Sequence, residues 1–314
     1  MMWRLEPWSP DYALRGLSEG EGGQARLQGT PLEEPWAPVP GQPLDWPPFC
    51  VVDGRARVDA LLSGGGSRVL LVSLAVGALC RDEGGMRLWE VRLERLAVGA
   101  SEPLSFGEGL VYRPLLAKET DPMGLWQLAQ KARRRLEAAL AQELSQKALV
   151  LLDGPLYEVG RPFGPVLGYA KTPLAQYLPD SYLGLLSELK PRERTPVFQI
   201  PRSDLGRKLD LLSWYIRLPL APEGLFPPES GLLRVETPLM PLEEARALAD
   251  LSLDLFSSLA SSPAKDPRAP QNLAPVGALE TLLGRYLGQR EVIQRRILSV
   301  FPLRESNRGM GGGA

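Results

Sequence analysis

Runs of apolar residues, separated by glycine-rich or polar stretches, predict strands in the first third of the chain. FCVVD (residues 49–53) and RVLLVSLAVGAL (68–79) are almost continuously apolar, whereas RLWEVRLERLAVG (87–99) alternates like an amphipathic strand. SGGGS (63–67) lies between the first two runs. It lacks the GxxxxGK[ST] pattern of a phosphate-binding loop, so we expect a hairpin or surface loop there.

A helical period then replaces the strand pattern. MGLWQLAQKARRRLEAALAQELSQ (123–146) has apolar residues at helical spacing and no Gly or Pro after its first turn, which predicts the longest helix of the chain. ALVLLDG (148–154) follows it and predicts a short buried strand that ends at Asp153.

Shorter elements are predicted towards the C-terminus. The predicted strands are PVLGYAKT (165–172), SWYIRLPL (213–220) and LLRVETPL (232–239). The predicted helices are 241–259, which begins with Pro and two Glu, and one or two helices in LAPVGALETLLGRYLG (273–288) and EVIQRRILSVF (291–301). SYLGLLSELK (181–190) indicates a helix or a turn region.

The order of these elements predicts the fold class. Three strands, a helix and a fourth strand are the order of a ribonuclease H-like fold, so we expect an α/β protein with a mixed sheet flanked by helices. Residues 1–47 form a Pro- and Trp-rich arm, which we expect to dock on the domain. Residues 48–303 form the domain itself, with helices at its C-terminal end, and residues 304–314 a flexible tail.

Composition narrows the chemistry that this fold can carry. The 314 residues include 36 Lys and Arg, 37 Asp and Glu and no histidine, so the net charge of −1 argues against a strongly basic surface, and histidine catalysis is excluded. Cys50 and Cys80 form no CxxC motif and lie in apolar runs, so we expect inert core thiols in a reducing cytoplasm. The N-terminus lacks the apolar core of a signal peptide, and no apolar run is long enough for a membrane span.

Two aspartates stand out because each follows an apolar run and precedes a glycine. In a sheet where the first and fourth strands are parallel neighbours, Asp53 and Asp153 meet at one edge. The helix between them offers Glu137 or Glu143, which face different sides, and we prefer Glu137; Glu90 and Glu94 are further candidates. Clustered carboxylates are typical ligands of Mg²⁺ and Mn²⁺, and two such ions can hydrolyse a phosphodiester.

Each of these residues also has a simpler interpretation. Asp-Gly is a common turn dipeptide, so both aspartates could be turn residues. Glu137 could lie on a solvated helix face and pair with Arg133.

An ordered series of short motifs resembles the NurA nucleases from about residue 48 to residue 300. It comprises VVDGR, LVLLDGPLY after a Glu-bearing helix, GYAKT, WYIRL, RVETP and PQNLAPVGALETLLGRYLG. The resemblance implies a ribonuclease H-like nuclease that degrades DNA ends with two Mn²⁺ or Mg²⁺ ions per site. It also implies a homodimer, a HerA-type hexameric translocase as partner, and a 5′-end-directed exonuclease with single-strand endonuclease activity in double-strand break repair.

Carried over residue by residue, the resemblance assigns metal ligands and substrate contacts. Asp53 and Asp153 match the family's strand aspartates, Glu137 its helix glutamate, and Lys171 a catalytic basic position that contacts DNA. Archaeal members carry a Tyr and a metal-site His near the C-terminus, where this chain reads PQNLAPVGALE. Either Glu280 supplies that last ligand or water fills the position.

Arg55 and Arg57 directly follow the first aspartate and are candidate DNA contacts.

The missing histidine motivates the alternative, a catalytically inactive ribonuclease H-like domain that binds DNA and acts as an adaptor for an ATPase. An enzyme needs its carboxylates close enough to share metal ions, whereas an adaptor does not.

Overall fold

The structure is a computed structural model that describes residues 4–5, 29–118, 120–171, 177–201, 209–219, 231–262 and 269–301. Its helices are α1 (Pro122–Leu144), α2 (Asp180–Glu188), α3 (Leu242–Leu259), α4 (Ala274–Tyr286) and α5 (Arg290–Val300). Its long first strands are β4 (Phe49–Gly64), β5 (Ser67–Asp82) and β6 (Gly85–Val98), preceded by β1 (Arg4–Leu5), β2 (Thr30–Pro31) and β3 (Val39–Pro40). The later strands are β7 (Leu104–Ser105), β8 (Val111–Leu115), β9 (Leu149–Asp153), β10 (Val166–Ala170), β11 (Glu193–Arg194), β12 (Phe198–Ile200), β13 (Leu211–Arg217) and β14 (Leu232–Pro238).

One large mixed sheet joins these strands. Its main path runs β2-β12-β13-β14-β10-β9-β4-β5-β6-β8-β7. β4 lies between β5, which is antiparallel to it, and β9, which is parallel to it and is reached through α1. β10 continues the parallel part of the sheet, and β14 returns antiparallel. The predicted mixed sheet with flanking helices is therefore confirmed.

The continuous apolar runs are explained by helices on both faces of the sheet. Val52 and Val150 belong to the core cluster that contains Ala138 and Ala141 of α1. Their strand neighbours Val51 and Leu151 belong to the opposite cluster, which includes five buried residues of α3. Because side chains alternate between the faces of a strand, burial on both sides requires apolar residues at every position.

The predicted end of the first strand at residue 53 is wrong. β4 continues to Gly64, and β5 pairs with it almost throughout, including Asp53 with Gly77 and Gly54 with Val76. Although Asp-Gly is a common turn dipeptide, Gly54 lies within the strand. A β-carbon there would lie only 2.3 Å from Oε1 of Glu137, so the missing side chain makes room for α1. The turn of the β4–β5 hairpin is Gly65 and Gly66, both with positive φ, within the stretch predicted as a hairpin or surface loop.

The prediction of two inert thiols is also corrected. Cys50 and Cys80 are direct cross-strand partners on β4 and β5, with their Cα atoms 4.0 Å apart, and they form a disulfide. Pairing across strands depends on the register of the hairpin, which the apolar character of the two runs does not reveal.

The described part of the predicted N-terminal arm lies against the domain. β2 pairs with β12, and β3 pairs with β11. The indole of Trp36 packs edge-on against Tyr182, and the indole Nε1 of Trp46 donates to Oδ2 of Asp254 at 2.8 Å. Most of the first 28 residues, the predicted tail and the last residue of the predicted strand 165–172 lie outside the described residues. Among the helices that the structure describes, none has the length and apolar character needed to cross a membrane.

Candidate metal centre

The parallel pairing of β4 with β9 determines where the two aspartates lie. The ladder runs from Phe49 opposite Leu149 to Val52 opposite Leu152, so Asp53 and Asp153 are the next residues along the two neighbouring strands. Asp53 is buried, with 4% of its surface exposed, and Asp153 is half-buried. Both aspartates thus lie at the same end of the parallel ladder, although β4 itself continues.

Glu280 of α4 joins the two aspartates. One carboxylate oxygen from each of Asp53, Asp153 and Glu280 can be chosen so that all three lie within 4.8 Å of one another. The helix comes this close because β5 carries Gly77 beneath it: a β-carbon at Gly77 would lie 3.0 Å from a methyl carbon of Leu283. A residue that the sequence offered as one of two possibilities therefore belongs to the acidic cluster.

Lys171 supplies a positive charge to this cluster. Its Nζ lies 2.5 Å from Oδ2 of Asp153 and donates a second hydrogen bond to Oδ1 of Asn272 at 2.7 Å. Asn272 is buried and lies in the turn before α4. The pair of contacts ties the segment after β10 to the segment that leads into the helix of Glu280.

Glu137 lies beside the cluster but is not part of it. It is buried, and its Oε1 accepts a hydrogen bond at 2.7 Å from Nη1 of Arg133, one helical turn earlier. The same Nη1 donates to the carbonyl oxygen of Gly54 at 2.9 Å. The Glu137–Arg133 pair anticipated from their spacing therefore forms, but in a buried position against β4 and not on a solvated face.

The other acidic candidates point elsewhere. Glu143 and Glu90 both pair with Arg92, and Glu94 pairs with Arg113. The side chain of Glu143 is 60% exposed, in contrast to the buried Glu137 on the same helix. The structure thus separates two glutamates that the helical pattern alone could only rank.

The carboxylates raise the proton affinity of the most buried member. Burial raises the pKa of Asp53 well above its ordinary value, and the negative charges of Asp153 and Glu137 raise it further. The positive charges of Arg133 and Lys171 oppose this effect without cancelling it. A divalent cation would relieve the same repulsion that now favours a proton.

A buried tyrosine on β10 borders the cluster. Burial raises the pKa of Tyr169, and the charges of Asp153, Asp53 and Glu280 act in the same direction. Its hydroxyl is near enough to Asp153 to interact electrostatically, but it has no partner of good hydrogen-bond geometry within the described residues. A buried polar atom in this state is uncommon, and it marks a place where a polar ligand or ion would be accommodated.

The donor set fits a hard divalent cation. Three carboxylates offer oxygen atoms, the ligand type that Mg²⁺ and Mn²⁺ prefer, and the buried hydroxyl adds another oxygen nearby. Asp53, Asp153 and Glu280 are the residues that could hold such an ion directly.

Arg55 and Arg57 contact α4. Nη1 of Arg55 donates to the carbonyl oxygen of Glu280 at 3.2 Å, and the side chain is exposed. The three guanidinium nitrogens of Arg57 donate to Asp59 and to the carbonyl oxygens of Leu287 and Gly288. Arg57 thus uses its donors within the protein.

Sequence reasoning missed two members of the site. Asn272 and Tyr169 were both within motifs quoted for their resemblance, PQNLAPVGALE and GYAKT, yet neither was given a role. Asn272 lies eight residues before Glu280, just ahead of α4, and Tyr169 lies two residues before Lys171, so closeness in sequence to identified candidates is the available signal.

Comparison with known proteins bears on this site. The family model described as NurA domain matches residues 69–276, more than half of the chain. The solved structure of the NurA nuclease from Sulfolobus solfataricus is similar at 12% identity, covering 85% of this chain and 88% of that chain, with a TM-score of 0.48. The curated proteins include no match. The matched residues 69–276 contain Glu137, Asp153 and Lys171, whereas Asp53 precedes them and Glu280 follows them.

Proposed function

The chain belongs to the NurA family, and we propose that it is a divalent-metal-dependent deoxyribonuclease that hydrolyses phosphodiester bonds at DNA ends. Asp53, Asp153 and Glu280 are the proposed metal ligands, with Mn²⁺ or Mg²⁺ as the cofactor. Glu137 is the proposed ligand of a second ion.

The convergence of three carboxylates from distant segments carries this proposal. Asp53, Asp153 and Glu280 come from two strands and a helix, yet their oxygen atoms lie within 4.8 Å of one another. Without a cation this arrangement is costly, because burial and like charges both disfavour the ionised form of Asp53. A site of this kind is useful to an enzyme that shares metal ions among carboxylates and has no use in an adaptor.

The residues around the cluster have distinct proposed roles. Divalent ions bound there would polarise the scissile phosphate and make a water molecule more acidic. Lys171, hydrogen-bonded to Asp153 and Asn272, holds a positive charge at the edge of the cluster, where it would contact a phosphate oxygen of the DNA. Glu137, whose charge already acts on Asp53, would release Arg133 in order to bind the second ion.

The ribonuclease H-like arrangement is part of the proposal. The order of three antiparallel strands, a helix and a parallel fourth strand supports it, as do the acidic residues on the first strand, the helix and the fourth strand. Residues 48–303 form the proposed nuclease domain, with residues 1–47 as the arm and 304–314 as the tail.

Membership of the family supports further proposals about the biological setting. We infer a cytoplasmic homodimer that works with a HerA-type hexameric translocase, and a 5′-directed exonuclease with single-strand endonuclease activity in double-strand break repair. Arg55 remains a proposed DNA contact because its side chain is exposed beside Glu280.

End-labelled DNA tests the proposed function. The full chain is incubated with Mn²⁺, Mg²⁺ or EDTA, alone and with the translocase, beside Asp53→Asn, Asp153→Asn and Glu280→Gln. We expect wild type to remove the end label only when a divalent metal is present. Asp53→Asn and Asp153→Asn should abolish this activity. Glu143→Gln is the control, because this exposed acid lies on the same helix as Glu137 but pairs with Arg92. Intact DNA binding without cleavage under every condition would contradict the nuclease and favour the adaptor.

A further inference from the structure

Arg57 connects the strand of Asp53 to the end of the helix that carries Glu280. Its Nη1 and Nη2 donate to the carbonyl oxygens of Gly288 and Leu287 at 2.6 and 2.9 Å, immediately after the last turn of α4. A cation at a helix C-terminus also interacts favourably with the helix dipole. The guanidinium therefore acts as a cap for α4 that is supplied by another element.

Asp59 holds this guanidinium in place from the buried side. Its Oδ1 accepts from Nε of Arg57 at 2.8 Å, and its Oδ2 accepts from Ser73 at 2.5 Å and from Tyr112 at 2.8 Å. Asp59 is 1% exposed, and the hydroxyl groups of both Ser73 and Tyr112 are buried with it. The carboxylate is thus held in one orientation by three donors from three strands.

α4 packs closely on the sheet, which restricts how far the helix can shift. A β-carbon at Gly284 would lie 2.8 Å from Nη1 of Arg55, and one at Gly77 would meet Leu283 at 3.0 Å. The helix therefore packs closely against β4 and β5 around Leu283 and Gly284. Leu287 and Gly288, which follow its last turn about 10 Å from Glu280 along the axis, are held by hydrogen bonds from a fixed side chain.

We propose that Arg57, oriented by Asp59, is a positioning residue that sets α4 so that the Glu280 carboxylate meets Asp53 and Asp153. The inference rests on the proposed function, because it assumes that these carboxylates bind metal. It assigns Arg57 a role inside the protein, through Glu280, and not at the DNA.

Binding of Mn²⁺ to the full chain, measured by electron paramagnetic resonance of the free ion, tests the proposal without relying on cleavage. We expect Arg57→Gln to weaken Mn²⁺ binding about 10-fold, as changes behind metal ligands commonly do. The double variant Arg57→Gln/Glu280→Gln should bind Mn²⁺ no more weakly than Glu280→Gln alone, because Arg57 acts through Glu280. Arg57→Lys should restore only part of the affinity, since an ammonium group cannot hold Asp59 and both carbonyls in the same geometry.

Arg296→Gln is the matched control. Arg296 of α5 also donates to backbone carbonyls, those of Phe106 and Glu108, but α5 carries no residue of the cluster. The Arg296→Gln variant should leave the Mn²⁺ affinity unchanged. If Arg57→Gln fails to fold, Tyr112→Phe, which removes one donor to Asp59, should weaken Mn²⁺ binding in the wild-type background but not in Glu280→Gln.

The outcomes separate the two proposals. Suppose that wild type binds Mn²⁺ and that Glu280→Gln weakens this binding. If Arg57→Gln or Tyr112→Phe then leaves the Mn²⁺ affinity unchanged, the positioning role is overturned and the metal centre stands. The same conclusion follows if the loss of affinity from either variant adds fully to the loss from Glu280→Gln. If wild type itself does not bind Mn²⁺, both the metal centre and the positioning role are overturned.

Discussion

Lys171 and Asp153 form an ion pair at the edge of the acidic cluster, with Nζ 2.5 Å from Oδ2. The lysine therefore neutralises part of the charge of a carboxylate that is also a candidate metal ligand. The same ammonium group is held by Asn272, so it does not depend on Asp153 alone for its position. The pair implies that a metal ion and the lysine would compete for one carboxylate, while the proposed contact of Lys171 with DNA would assist cleavage.

Replacing Lys171 by Met should separate these two effects. We expect Mn²⁺ to bind more tightly, because the competing charge is gone, while the maximal rate of DNA cleavage falls about 100-fold for want of a cation at the phosphate. Metal titrations and single-turnover cleavage measure the two quantities. Lys147→Met, at an exposed lysine over the ring of Trp89, should change neither. Weaker metal binding in Lys171→Met would show that the lysine supports the centre and does not compete with it.

The buried pair of Arg133 and Glu137 should matter for stability. We expect Arg133→Gln to lower the free energy of unfolding by about 3 kcal/mol, because it leaves Glu137 charged and buried without its guanidinium. Arg133→Gln/Glu137→Gln should recover much of the loss. Urea denaturation in EDTA provides the measurement, and Arg135→Gln, whose side chain is 61% exposed, provides the control. Equal losses in the single and double variants would argue against the pair.

Glu33 should make stability depend on pH in the acid range. Burial alone would raise its pKa, but hydrogen bonds from Arg194 and the Val197 amide, with the charges of Arg194 and Arg246, lower it below 4.5. Because the folded pKa is depressed, this contribution is complete above the unfolded pKa and is lost as pH falls through the folded pKa.

Glu33→Gln removes that contribution. We expect its Tm to lie below wild type at neutral pH and the difference to shrink below about pH 4.5. Melting curves at several pH values give the comparison. Glu34 is the exposed neighbour, and the Tm of Glu34→Gln should follow that of wild type at every pH. A constant gap for Glu33→Gln would mean that packing, and not charge, is what the residue contributes.

The disulfide can be tested by counting the free thiols of the unfolded protein. Unfolded protein that has not met a reductant should take up no thiol reagent at Cys50 or Cys80, and reduced protein should take up two equivalents. Reduction should lower the free energy of unfolding by about 2–4 kcal/mol, because the unfolded chain has more conformational entropy without the cross-link. Mass spectrometry and thermal melts make the two measurements. Two reactive thiols in the unreduced protein would restore the expectation of free cysteines.

Much of the fold follows from local pattern. The structure has α1 and β9 almost at the predicted residues, because a long 3.6-residue period indicates a helix, and an apolar run that is short and followed by Gly154 and Pro155 favours a strand. The neighbourhood of Asp53 and Asp153 follows once the first and fourth predicted strands are placed as parallel neighbours, as in a ribonuclease H-like sheet, and the structure has that pairing.

The remaining features depend on relations between distant segments. Whether Glu280 reaches the aspartates depends on how closely α4 packs over Gly77, and no local pattern encodes that distance. Asp-Gly is a common turn dipeptide, yet Gly54 lies within β4 and makes room for Glu137. The pairing of Cys50 with Cys80 depends on hairpin register, which shifts with the position of the turn.

The origin of the cluster in three separated segments has a consequence for biosynthesis. Asp53 and Asp153 are made in the first half of the chain, and Glu280 arrives only with α4, near the end of the described residues. Chains emerge from the ribosome N-terminus first, so the third carboxylate joins last. A nascent or prematurely terminated chain would lack the complete centre, so the proposed activity would appear only once the chain is nearly finished.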